Sequence, residues 1–249
     1  MRDLPKFLSR GPRAYPAPKS GTHAMAFPGA QVVAVDGPAA SGKGTLSKRM
    51  AQALHFAYLD TGLLYRATAL RVLRRQGSTT LDDVCLQGAA EAALAITAED
   101  LADPSLRSEL VGQCASMVST DPSTRSALLQ FQRSFCHSPP QGLHGTVLDG
   151  RDIGTVVCPG APVKLFVTAD VATRAARRHI ELCAVDSTTS LDQVKQDMQQ
   201  RDLRDSSRAT APLCAAPDAF VIDTTCLTVD EVFAAAMAHV RDKLSGVLG

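Results

Sequence analysis

Asparagine and tryptophan are both missing from this 249-residue chain. Without asparagine it cannot supply the N-K-x-D loop by which a GTPase switch reads guanine, so that class is excluded. No apolar run approaches the ~20 residues that a membrane-spanning helix needs. An excess of charge of one sign is lacking too. Lys+Arg 26 against Asp+Glu 25 leaves a net +1, so nothing global points to nucleic acid or an anionic membrane, and any anion site must come from local clustering. The seven cysteines (85, 114, 136, 158, 183, 214 and 226) include no C-x-x-C pair, and the six histidines show no H-E-x-x-H spacing. Zinc and dithiol redox chemistry are unsupported. The cysteines read as buried small apolar residues of a reducing, cytoplasmic compartment.

What is present is an α/β pattern long enough to bury a core. Its focus is Asp36-Gly37-Pro38-Ala39-Ala40-Ser41-Gly42-Lys43-Gly44-Thr45, which follows the apolar run Val32 to Val35. It precedes a helix in which Leu46, Met50, Ala53 and Leu54 recur at helical spacing. A strand, a glycine-framed loop and a helix together make a phosphate cradle. Backbone N–H groups can turn inward at the positive end of a helix, and Lys43 adds a mobile full charge. The strict G-x-x-x-x-G-K-[ST] pattern is not met, because Gly44 follows Lys43 and the hydroxyl comes one place later, on Thr45.

Residues 1–28 carry Pro5, Pro12, Pro16, Pro18 and Pro28 among basic side chains, with almost no acid. They read as a disordered extension, and Met25 is the preferred start of translation. Beyond the first helix, 56–60 reads as a strand and 63–73 as a helix with Arg66 one turn inside it. The long interval 76–140 then shows helical periodicity at 82–96, 105–118 and 124–135 and no convincing strand, as an inserted helical subdomain would. The pattern returns to strand at 145–152, 163–167 and 219–223, with helices at 173–182, 191–204 and 229–244. Five strands alternating with helices predict a parallel sheet covered on both faces.

Asp149 ends an apolar strand, as a carboxylate must to reach metal-bound water near phosphates at the sheet's carboxyl edge. Arg66, Arg125, Arg151, Arg174, Arg177, Arg178, Arg201, Arg204 and Arg208 are many for a neutral chain. Each alone is an ordinary solvated charge. Together they fit a site that neutralises two sets of phosphates. If the acceptor is itself a phosphate, with a second pKa of ~6, it needs no general base, and guanidiniums lower the repulsion that forms the barrier.

GPAASGKGT, YLDTGLLYR, LDGRDIGT, APVKLF and RDLRDSSRATAPL, in that order, resemble the bacterial cytidylate kinases, which are P-loop nucleoside monophosphate kinases. The likeness runs from about Gln31 to the C-terminus. It implies phosphoryl transfer from ATP, with Mg²⁺, to CMP or dCMP, and a sheet order of 2-3-1-4-5. It also implies a kinase domain at 29–249 with a monophosphate-binding insert near 61–140 and a lid near 178–208. By that resemblance Gly37 to Thr45 hold the ATP phosphates, with Lys43 on β and γ, and Thr45 and Asp149 serve the metal. Thr61, Arg66, Arg151 and Arg208 meet the acceptor phosphate, and Ser116, Arg125 and Asp152 read the cytosine edge. Arg201 and Asp205 bind the sugar. Arg174, Arg177 and Arg178 belong to the lid or its hinge, with Arg174 and Arg178 toward ATP. Partners are nucleotides only, with no nucleic acid or membrane, and the chain is expected to be a monomer.

The sequence departs from the long-form pattern at Ile96 to Asp100, which pass from helix to helix where a small β-hairpin is usual. A uridylate- or shikimate-type P-loop kinase and a non-catalytic ATP-binding module remain as alternatives.

Overall fold

The strands β1 (Gln31–Asp36), β2 (Ala57–Asp60), β3 (Gly145–Gly150), β4 (Val163–Thr168) and β5 (Phe220–Asp223) pair side by side in the order β2-β3-β1-β4-β5, every neighbour parallel. This is a computed structural model that describes residues 31–139, 143–184 and 188–245; the extension expected at 1–28 lies outside them. The strand count and order agree with the sequence reading.

Val32 to Val35 are all fully buried, which is why β1 carries no polar alternation: both of its faces are covered. On one face Val33 and Val35 meet Met50 of α1 (Lys43–Leu54) and Val232, Met237 and Val240 of α9 (Val229–Leu244). On the other, Val32 and Ala34 meet Phe135 of α6 (Pro122–His137) and Ile153. Each such side chain contributes ~1.5–3 kcal/mol by leaving water.

Between β2 and β3, α2 (Thr61–Gln76), α3 (Ala89–Leu94), α4 (Ala98–Ala102) and α5 (Glu109–Val118) gather a second apolar core around Ala67, Leu70, Leu73, Leu106, Val111 and Val118. No strand occurs among the described residues of this interval, so Ile96 to Asp100 do pass from helix to helix. Thr97 and Asp100 form a capping box, and Arg71 of α2 donates to Asp100 at 2.7 Å, fixing α4 where the hairpin is missing.

Two expected helices are shorter than their periodicity suggests. The expected 82–96 helix begins only at Ala89, because Gly88, with φ 79°, is the N-cap and ends the irregular stretch before it. The expected 105–118 helix is broken at Ser108, whose Oγ caps α5 by accepting from Val111, and a 3₁₀ turn (Pro104–Arg107) precedes it. Asp121-Pro122 starts α6, with the Asp121 carboxylate accepting from the Thr124 N–H at 2.8 Å.

After β4 come α7 (Val171–Cys183) and α8 (Leu191–Ser207), which pack on each other through Ala175, Val194 and Met198. The reading of all cysteines as buried is corrected. Cys85, Cys214 and Cys226 are exposed on turns and loops, while Cys136 and Cys158, both buried, are joined as a disulfide. Their separation of 22 residues in sequence carried no signal of this. No helix among the described residues is long and apolar enough to cross a membrane.

Candidate active site

The parallel register brings the ends of three strands level. Asp36 stands opposite Gly150, and Asp60 opposite Asp149, all at the carboxyl edge of the sheet. From that edge the loop Gly37 to Gly42 leaves β1. Gly37 has φ 152°, and a Cβ there would lie 2.0 Å from the Val167 carbonyl oxygen, so only glycine lets the loop run this close to β4. Ala40 and Gly42 also have positive φ. Gly42 is the N-cap of α1 and offers no side-chain oxygen, and the first turn contains no acid. The amides at this helix start are thus left for an external anion. Ala39 and Ala40 form the turn of the loop, and the buried Ser41 hydroxyl finds no partner. Thr45 is exposed two residues into α1, and Gly44 beside it runs so close to Asp149 that a Cβ would sit 3.2 Å from Oδ2.

Lys43 folds back over the loop. Its Nζ donates to the Pro38 carbonyl at 3.4 Å and lies 3.7 Å from Asp149 Oδ1. Burial pulls the ammonium down to about 8, aided by Arg151, and raises the Asp149 carboxyl to about 6. Desolvation therefore outweighs their mutual attraction, as expected of charges held in place before a highly charged ligand arrives. Tyr58 OH donates to Asp149 Oδ2 at 3.4 Å.

Opposite the loop lies an alternation of guanidiniums and carboxylates. Arg125 donates to Asp152 and, at 3.3 Å, to the Ser119 carbonyl, and its guanidinium lies over the Tyr65 ring. Arg208 stands 3.9 Å from Asp152 and donates to the Ala211 carbonyl at 2.6 Å, while one of its Nη atoms is buried without a hydrogen-bond partner. Arg151 donates to Asp205 at 3.2 Å and to the Gly150 carbonyl, and Arg201 approaches Asp205 at 4.0 Å with its Nε unpartnered. Burial lowers Arg201 to about 10, with the like charge of Arg151 adding to the effect. Burial also raises the Asp152 carboxyl, against the pull of Arg125 and Arg208. At Asp205 burial is outweighed by Arg151, Arg201 and Arg208, which hold its carboxyl below the usual range. Ser116 is buried on α5 with its hydroxyl unpartnered. Buried donors and hydroxyls left unsatisfied, as at Ser41, Ser116, Arg201 and Arg208, each cost free energy unless a ligand or water satisfies them.

Other expected site residues are tied to protein groups. Thr61 donates to the Asp149 carbonyl at 2.8 Å, locking the start of α2 to β3. Arg66 donates to the Leu106 carbonyl at 2.6 Å and has Ser108 at 3.5 Å, and so holds the 3₁₀ turn before α5. Arg174, expected to face ATP, is 6% exposed and spends its donors on Ala169, Ala39 and Asp202, so it braces the phosphate loop against α8. Arg177 clamps Thr224, whose hydroxyl in turn donates to the Ser41 carbonyl at 2.9 Å. Arg178 bridges Glu109 of α5 at 2.8 Å and Glu181 at 3.1 Å. This ties α7 to α5.

Sequence reasoning missed Asp36, Asp60, Tyr58 and Ser119. Asp36 and Asp60 end apolar strands just as Asp149 does, so the same rule applied to every strand would have found both. Tyr58 stands in the YLDTGLLYR stretch but is given no role there, and nothing in the sequence marked Ser119.

For a cation, Thr45 and Asp149 supply a hydroxyl and a carboxylate beside the place for phosphates. That hard-oxygen set suits Mg²⁺, which keeps several waters and uses few protein ligands. Among the described residues no cluster of three or more His, Cys, Asp or Glu could hold a metal alone.

The cytidylate kinase family matches residues 33–242. The cytidylate kinase of Rhodospirillum rubrum is 50% identical over 215 residues, which cover 85% of this chain and 99% of that protein. That of Paramagnetospirillum magneticum is 50% identical over 212 residues, covering 85% and 98%, and that of Rhodopseudomonas palustris 48% over 215, covering 86% and 98%.

Proposed function

The chain belongs to the cytidylate kinase family, and from that premise we propose that it transfers the γ-phosphoryl group of ATP to CMP and dCMP, releasing the diphosphates and ADP. One observation carries the reading: Lys43 of the glycine-framed loop feels the charges of Arg151 and Arg201, which converge with Arg208 on Asp205.

The donor's β- and γ-phosphates lie on the amides of Gly42 to Thr45, with Lys43 on both, and phosphate contact raises the depressed lysine toward full charge. Thr45 and Asp149 would hold Mg²⁺, which when bound would supply charge neutralisation on the donor side. The acceptor phosphate lies on Arg151 and Arg208, with Thr61 and Arg66 beside it. Asp152 and Arg125, with Ser116, face the cytosine edge, where an N4 donor adjoins N3 and O2 acceptors. Asp205 and Arg201 face the sugar. No general base is required, because the acceptor oxygen is largely ionised at neutral pH. Catalysis is then positioning plus charge neutralisation in a site closed to water. Arg174 and Arg178 act from behind, bracing loop and lid.

A coupled assay over CMP, dCMP, UMP and AMP tests the substrate. CMP and dCMP are expected to lead, and UMP used as well as CMP defeats the cytosine assignment. Lys43→Ala is expected to lower turnover roughly a thousandfold with circular dichroism unchanged. ATP binding without CMP-dependent ADP release would make the protein a binding module instead.

A further inference from the structure

Asp36 is the last residue of β1, immediately before the phosphate loop, and it is 4% exposed. Its two carboxylate oxygens are both committed: Oδ1 accepts from the Ile153 N–H at 2.7 Å and Oδ2 from the Gly154 N–H at 2.7 Å. These amides follow Arg151 and Asp152 directly. The segment they belong to leaves β3 at Gly150 and enters a π-helical turn (Ile153–Val157) whose N-cap, Asp152, has no side-chain cap bond. Asp36 is thus a substitute cap delivered from another strand, 117 residues away in sequence. A buried carboxylate is an expensive way to hold two amides, since burial raises it and the neighbouring Asp152 and Asp149 raise it further. Lys164 lays its stem over Gly154, where a Cβ would lie 3.2 Å from Cδ, but its ammonium is taken by Asp218 at 2.9 Å, so no cation repays the cost.

We propose that Asp36 is a positioning residue for the acceptor nucleotide: one carboxylate at the root of the donor loop fixes the turn that aims Arg151 and Asp152 at CMP. The inference rests on the acceptor roles given above to those two residues. Every feature of the contact serves it. Two short bonds in a bidentate grip fix both distance and rotation of the peptide, which a single bond would not. The same residue continues into Gly37, so the donor and acceptor halves are held in one register by a contact that touches neither nucleotide. A neutral side chain could fill the space, yet would release one amide.

The test is steady-state kinetics at pH 8, varying CMP and ATP separately, for wild type, Asp36→Asn and Asp36→Ser, with Asp152→Ala as reference. Asp36→Asn keeps the volume but turns an N–H₂ toward a peptide N–H. Asp36→Ser withdraws the reach altogether and covers the case in which the asparagine variant does not fold. Roughly a tenfold rise in KM for CMP is expected in either, with KM for ATP changed less than about twofold and a cooperative melt retained. UMP should be discriminated less well, because Asp152 is no longer held. An unchanged KM for CMP in the folded variants, or a fall in kcat alone, overturns the proposal while the acceptor reading stands, provided Asp152→Ala itself raises KM for CMP. If Asp152→Ala leaves that KM unchanged, the acceptor reading falls and this inference with it.

Discussion

At the scale of single residues, buried charge governs what can be measured. The Asp36 carboxyl is raised to about 7, chiefly by burial. A group whose folded pKa is raised binds its proton more tightly when folded, so its contribution to stability is full below the ordinary carboxylate range and is lost as pH rises toward about 7. The charges facing it are Asp149 and Asp152, while the Lys164 ammonium is engaged by Asp218. Denaturant titrations at pH 5 and 7.5 should show Asp36→Asn gaining on wild type by on the order of 2 kcal/mol at the higher pH. No change in the difference between the two proteins would mean that Asp36 titrates normally. Arg208→Ala is expected to leave the melt intact and cripple use of CMP, since the lost guanidinium donates to the Ala211 carbonyl and the Ser119 hydroxyl and keeps one Nη, 3.9 Å from Asp152, without a hydrogen bond.

Elements impose geometry that composition does not record. The tight approach of Gly37 to the Val167 carbonyl makes Gly37→Ala a steric rather than a chemical lesion, expected to cost about 3 kcal/mol or more and to remove ATP binding at the same time. Thermal melting with and without ATP checks both. The strands were legible because Val32 to Val35 are apolar enough to be covered on both faces and Val163, Leu165 and Val167 recur with period two on one buried face of β4, and helices with clear stripes, such as α1 and α9, were found within a few residues. The helix expected at 82–96 failed because periodicity reads side chains, whereas Gly88 acts through its backbone, at φ 79°. The site was legible where a residue type and an element end coincided, as at Lys43 and Asp149. It was opaque where an arginine's partner lies far away in sequence. Arg174 and Arg208 look alike in the chain, yet one braces the loop through Ala39 and Asp202 and the other stands beside Asp152 with an Nη that makes no hydrogen bond.

Across the whole molecule, the two halves of the cleft touch through Arg178 and Glu109. That pair is half exposed, so Glu109→Gln is expected to raise KM for both nucleotides only about twofold, an effect that disappears at high salt. Kinetics at two ionic strengths check it. Closure that excludes water also predicts ATP hydrolysis without CMP at least about a hundredfold slower than transfer, measurable as ADP release in the absence of acceptor.

The second apolar core draws every one of its buried members from the unbroken run between Ala67 and Val118. Apart from the seam where Ala93 meets Leu128 of α6, such a stretch can be cut out and replaced as one cassette. Grafting the corresponding stretch of a relative should therefore exchange Ser116 while Arg125, Asp152 and the triphosphate end go on working, so evolution could revise one wall of the site without relearning the other.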